Sequence, residues 1–196
     1  IDHHDIHDVP LKTLRSSIAY VPQDNFLFSS TIKDNISFDP SPYQDEEVYQ
    51  AARQAQVYAD IIGLPNKFET ELGERGLSLS GGQRQRVSIA RALIKHSPII
   101  IFDDSLSAVD SKTEANILKT LRTEMKGRTS IIISHRISTI QEADQIIVLD
   151  KGEIVERGTH LSLIKGDGIY KKMHTQQITG LSSVQSKSSV IYEKKL

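Results

Sequence analysis

Three short apolar runs constrain the fold of this chain most: Ile99-Ile100-Ile101-Phe102, Ser130-Ile131-Ile132-Ile133 and Ile146-Ile147-Val148-Leu149. None alternates with polar residues, so each reads as a strand buried on both faces. The first follows a helical stretch, Gly82 to Lys95, with Val87, Ala90 and Ile94 on one face and Pro98 just past its end. The second follows another helix, from Ser111 to about Lys126. Buried strands alternating with helices predict an α/β fold with a mainly parallel sheet.

The remaining elements are legible more coarsely. Ile18 to Pro22 reads as a short strand ended by proline. Residues 45–54 and 57–62 read as helices closed by Gly63-Leu64-Pro65, and 66–81 as a loop. Lys151-Gly152 is a hairpin turn into Glu153-Ile154-Val155, followed by two short helices. From Gln176 the chain is polar and rich in Ser and Lys, which predicts a flexible tail over 176–196. No internal repeat is evident.

Composition narrows the function classes. The 196 residues suffice for one domain with a real core. A net charge of −1, few aromatics and no Trp argue against a nucleic-acid partner. With no Cys there is no disulfide, zinc-thiolate site or thiol catalysis. No apolar run is long enough to cross a membrane.

Polar stations stand at the carboxyl ends of the predicted strands, where open α/β sheets gather ligands. They are Gln23, the pair Asp103-Asp104, and His135 after Ser134. Each has an ordinary reading: a solvated amide, turn-capping carboxylates, a structural histidine. Together, an amide, paired carboxylates and an imidazole suit a nucleotide-phosphate and magnesium site. A further signal is Leu79-Ser80-Gly81-Gly82-Gln83, a glycine turn opening a helix. Ser80 with Gln83 forms a capping box, and the same helix start offers unpaired N–H groups to a phosphate.

These motifs resemble those of ATP-binding cassette (ABC) proteins over residues 1–175. Tyr20-Val21-Pro22-Gln23-Asp24 is similar to their Q-loop and Leu79–Gln83 to their signature motif. Ile99–Asp103 resembles their Walker B strand, Ser107-Ala108-Val109-Asp110 their D-loop, and Ser134-His135-Arg136 their H-loop. Ser30–Ile36 and Thr70-Glu71-Leu72-Gly73-Glu74-Arg75-Gly76 resemble segments of the multidrug-exporter branch, the latter its X-loop. The resemblance implies a P-loop-NTPase-like core with an inserted helical subdomain over about 40–97. It also implies ATP and Mg2+ as cofactors, a position at the cytoplasmic face of a membrane, and ATPase activity coupled to export.

It further implies roles for single residues. Gln23 and Asp103 would hold Mg2+. His135 would contact the γ-phosphate, and Asp110 would bridge to a second cassette. Ser80, Gly81, Gly82 and Gln83 would complete the ATP site of that opposing cassette. A membrane domain would dock through the Q-loop and X-loop region.

The chain departs from the family pattern twice. It contains no G-x-x-x-x-G-K-[ST] phosphate loop. Residues 1–15 resemble the stretch between the P-loop helix and the Q-loop, so the chain is expected to be the C-terminal part of a longer protein. By itself it is expected to bind ATP weakly and hydrolyse none. Second, Asp104 stands where active members carry the general-base Glu, and it is shorter by one methylene, about 1.5 Å. This predicts a weakly hydrolytic site, as in the degenerate half of a heterodimeric exporter, or else a tolerated swap.

Smaller signals remain open. His3-His4-Asp5-Ile6-His7-Asp8 has metal-like composition but reads as surface. Phe26-Leu27-Phe28 fits core packing, a groove for the membrane domain, or both. Glu71 and Glu74 are solvated charges or coupling residues. Arg84, Arg86 and Arg91 read as a solvated helix face. Competing functions are a catalytically silent regulatory cassette and a DNA-repair or chromosome-maintenance ATPase. The latter is disfavoured because residues 24–78 hold no coiled-coil heptads.

Overall fold

Strands β1 (Ile18–Val21), β2 (Ile99–Asp103) and β3 (Thr129–Ser134) lie side by side in parallel, Ile18 opposite Ile99 and Ile99 opposite Thr129. Beyond β3 come β6 (Ser189–Lys194), β4 (Gln145–Asp150) and β5 (Glu153–Gly158), which complete a sheet of order β1-β2-β3-β6-β4-β5. β4 and β5 form the antiparallel hairpin turned at Lys151-Gly152, and Gly152 has φ +84°. The structure is a computed structural model and describes residues 1–38, 43–73, 79–124, 126–179 and 189–194.

Helices α1 (Leu11–Ser17), α2 (Ile32–Ile36), α3 (Asp45–Gln54), α4 (Tyr58–Ile62) and α5 (Gly81–Ile94) precede β2. α6 (Ser111–Glu124) connects β2 to β3, α7 (Ile137–Ile140) follows β3, and α8 (His160–Leu163) and α9 (Ile169–Thr179) close the described helices. α5 is the hub, packing against α2, α3 and β1. Its Val87, Ala90 and Ile94 are buried, as the periodicity requires.

Two expectations change. The apolar strands are buried on one face, not two: Ile100, Phe102, Ile132, Ile146 and Val148 are buried, while Ile99, Ile101 and Ile131 are half-buried. The buried face joins α3, α5 and α6 in one core cluster. The other face opens on a cavity of about 740 Å³ lined partly by Ile18, Ile99, Ile101 and Ile131.

The polar tail expected from Gln176 is also different. α9 runs on to Thr179, and Ser189–Lys194 pairs antiparallel with both β3 and β4. The short run Val190-Ile191-Tyr192 has the β-branched and aromatic character that strands favour, and pairing on both sides satisfies its backbone. Residues 1–9 form turns and bends.

Candidate functional site

The start of α5 is built locally. The Ser80 hydroxyl accepts from the Gln83 amide at 3.2 Å, and the Ser80 amide donates to Gln83 Oε1 at 2.9 Å. The expected capping box is therefore present. Gln83 Nε2 also donates to Asp60 Oδ1 at 2.9 Å, which fixes the turn to α4. The two glycines differ in surroundings. A Cβ on Gly81 would meet nothing within 4 Å, whereas one on Gly82 would lie 3.1 Å from the Ala108 carbonyl oxygen. Gly81 faces open space, and Gly82 lets the helix approach the loop after β2.

That loop is tied to α5 by Gln85, which is 1% exposed and whose Oε1 accepts from the Ala108 amide at 3.1 Å. A cleft of about 400 Å³ results, lined by Gln23, Gly81, Arg84, Gln85, Ser107 and Ala108 among others. Gln23, the signature turn and the D-loop-like segment thus share one wall-to-wall space. Gln85 did not stand out in the sequence, because an amide inside a polar helix start carries no signal of its partner.

At the end of β2, Asp103 is half-buried and accepts a 2.9 Å hydrogen bond from the Tyr20 hydroxyl on neighbouring β1. That bond raises the Tyr20 phenol above its ordinary range. Asp104 turns the chain with φ +43°, its amide donating to the Ile133 carbonyl at 2.9 Å. Aspartate adopts this left-handed region more readily than most non-glycine residues. Asp110 Oδ1 accepts from the amides of Lys112 and Thr113 at 3.2 and 3.0 Å, capping α6. Hydrogen bonding from the Thr113 side chain and amide holds its carboxyl below the usual range.

His135 follows β3, whose Ile133 pairs with Asp103, so the two stand at the ends of adjacent parallel strands. The next residue, Arg136, reaches back to the D-loop-like segment. Its guanidinium donates to the Ser107 carbonyl at 2.8 Å and the Val109 carbonyl at 3.3 Å, and pairs with Glu114. Glu114 is buried and also accepts from the Thr139 hydroxyl at 2.6 Å. This link between the loops after β2 and β3 is invisible in sequence, since its members lie 22 to 29 residues apart.

Mg2+ takes oxygen ligands and commonly relies on one or two carboxylates, completed by phosphates and water. Asp103, with the exposed amide of Gln23 at the end of the adjacent strand, supplies oxygen donors of that kind, so the residues fit the ion. Among the described residues no group of three His, Cys, Asp or Glu side chains forms a metal cluster. His7 pairs with Asp5 at 2.7 Å on the surface.

The reading of Arg86 and Arg91 as a solvated face is overturned. Arg86 bonds Asp60 at 2.9 Å and the Gln56 carbonyl. Arg91 donates to the Asn35 carbonyl at 2.6 Å, Asn35 Oδ1 at 2.8 Å and the Phe26 carbonyl at 3.0 Å. Burial pushes its guanidinium down to about 10. These contacts hold α2 and the segment after β1 against α5. In that segment Leu27 is buried, while Phe26 and Phe28 are exposed and Phe28 stacks on Phe38 at 4.2 Å. Thr31 bridges to Glu71, and Leu72 donates to the Ser30 carbonyl, joining the two exporter-like segments. Glu74, Arg75 and Gly76 lie outside the described residues.

The architecture is that of an α/β protein with its polar stations along the carboxyl edge of a parallel sheet. The family described as ABC transporter matches residues 1–107, and the chain belongs to it. ABC transporter B family member 24, mitochondrial, of Arabidopsis thaliana is 50% identical over 177 residues, which are 90% of this chain and 26% of that protein. The probable multidrug resistance ABC transporter ATP-binding/permease protein YheI of Bacillus subtilis (strain 168) is 49% identical over 172 residues, 88% of this chain and 29% of that protein. A solved bacterial Atm1-family ABC exporter with ATP bound superimposes with a TM-score of 0.88 at 46% identity, covering 91% of this chain and 31% of that one. The chain spans about a quarter to a third of the length of these relatives.

Proposed function

We propose that this chain is the signature-bearing part of a nucleotide-binding unit that powers export at the cytoplasmic face of a membrane. The observation that carries this reading is the shared cleft of Gln23, Gly81, Ser107 and Ala108. It supports an α5 start poised, with residues 80–83, to meet the phosphates of an ATP held by a second cassette. Asp110, in the same loop, borders that partner. Gln23 and Asp103 would hold Mg2+, which would supply positive charge against the phosphates, and His135 would contact the γ-phosphate. The helical subdomain spans about residues 40–97. The exposed Phe26, Phe28 and Phe38, beside the paired segments 30–32 and 70–72, form the surface toward a membrane domain.

Asp104 makes the chain's own site a slow one, and the competent site lies on a different subunit carrying Glu at this position. In the complete transporter, Asp104→Ala changes turnover by less than about twofold, while Gly81→Asp lowers it more than about tenfold by placing a carboxylate against phosphate. Equal damage from both variants would sink the degenerate-site reading. A second reading, a regulatory cassette that binds nucleotide without hydrolysis, draws on the left-handed φ of Asp104. That backbone suits Asp for conformational reasons alone. Turnover by the cassette mixed with a Glu-bearing partner, against the cassette alone, separates the two. With no phosphate loop in its sequence, the 196-residue chain alone binds ATP weakly and hydrolyses none.

A further inference from the structure

The residue after α9's midpoint that the composition assigns to a tail makes an unusual pair of contacts. Gln177 Nε2 donates to the His135 carbonyl at 2.6 Å, and Gln177 Oε1 accepts from the Ile137 amide at 2.8 Å. One side-chain amide therefore closes on both sides of Arg136, like a splint across residues 135–137.

We infer that Gln177 is a positioning residue for His135, through which α9 holds the loop after β3 in one conformation. α9 is itself firmly seated. Tyr170 is fully buried and Met173 nearly so, and these lie two turns and one turn before Gln177 on the same face. Glu156 on β5 accepts from the Ile169 and Tyr170 amides at the start of the helix. The same short loop is held from its other side, where the Arg136 amide donates to the Ser134 hydroxyl at 3.0 Å and its guanidinium grips the Ser107 carbonyl. His135 thus leaves a backbone braced between the C-terminal helix and the segment after β2. A group that must meet a phosphate oxygen works only when its geometry is set beforehand. The inference rests on the reading of His135 as a γ-phosphate contact.

Two measurements test it. In the 196-residue chain, Gln177→Met keeps side-chain length and removes both hydrogen bonds. Amide exchange at Ile137 should rise about tenfold or more, with Tyr170 and Met173 amides unchanged. Gln177→Glu keeps the acceptor and loses the donor, so Ile137 should stay protected while the His135 carbonyl is released. In the complete transporter, Gln177→Met should speed the release of labelled ATP from the chain's own slow site about tenfold, with overall kcat within about twofold. Unchanged Ile137 exchange overturns the inference. So does faster exchange with unchanged ATP release in a transporter whose ATP release His135→Ala accelerates. If His135→Ala leaves ATP release unchanged, the phosphate reading of His135 falls, while the exchange result still reports the splint on its own.

Discussion

Gly81 and Gly82 are adjacent, yet one added methyl group has different consequences at each. At Gly82 a Cβ would sit 3.1 Å from the Ala108 carbonyl, a backbone atom that cannot rotate away. Gly82→Ala should push α5 from the loop after β2, at a cost of about 1–2 kcal/mol. Gly81 has open space, so Gly81→Ala should leave stability within about 0.5 kcal/mol. Urea midpoints of the two variants check this, and equal midpoints would contradict the close approach. What could be read in advance follows the same division. The members of the Ser80–Gln83 box stand three positions apart, and the box was legible because its geometry is a local property of a helix start. The partners of Gln85, Arg91 and Gln177 lie 23, 56 and 42 residues away, so no local pattern announced them. A helix face marked by Arg84, Arg86 and Arg91 looks solvated until α2 and α4 are laid over it.

At the scale of elements, strands β1 to β5 and α5 were legible because apolar runs and a 3.6-residue period are carried within each segment, whereas β6 was hidden in a polar stretch. Which strand faces are covered was not, since that depends on what packs above them. The α8–α9 pair shows how packing alters chemistry. His160 Nδ1 lies 2.8 Å from the Tyr170 hydroxyl, and its ring is 5.2 Å from that of His174. Burial first, and then the neighbouring His174, lower the His160 pKa from its ordinary 6.5. The unfolded chain therefore binds this proton more readily than the folded one. The contribution is fully present above about pH 6.5 and is lost as pH falls below that value. Urea unfolding at about pH 7.5 and 5.5 should show a drop that is smaller in His160→Gln. An identical drop in both proteins would remove His160 as its source.

The whole molecule depends on how the β4–β5 hairpin joins the parallel strands. In the sheet order the connection runs through β6, which pairs with β3 from Ser130 to Ser134 and with β4 from Gln145 to Leu149. The last strand in sequence thus lies inside the sheet, with antiparallel neighbours on both sides. Fixing its backbone costs about 1–2 kcal/mol per residue. Its hydrogen bonds return about 1 kcal/mol each, so the strand by itself is near balance. Its larger effect is on its neighbours, because without it β3 and β4 each expose a row of unpaired amides and carbonyls. A chain ending at Thr179 should therefore have a lower urea midpoint and faster exchange at the β3 and β4 amides, while α5 keeps its protection. Newly exposed strand edges should also promote association, visible as a concentration-dependent increase in mass by light scattering. If exchange along β3 and β4 were the same with and without residues 180–196, the hairpin would have to be held by α7 and α9 alone, and β6 would be a passenger in the sheet.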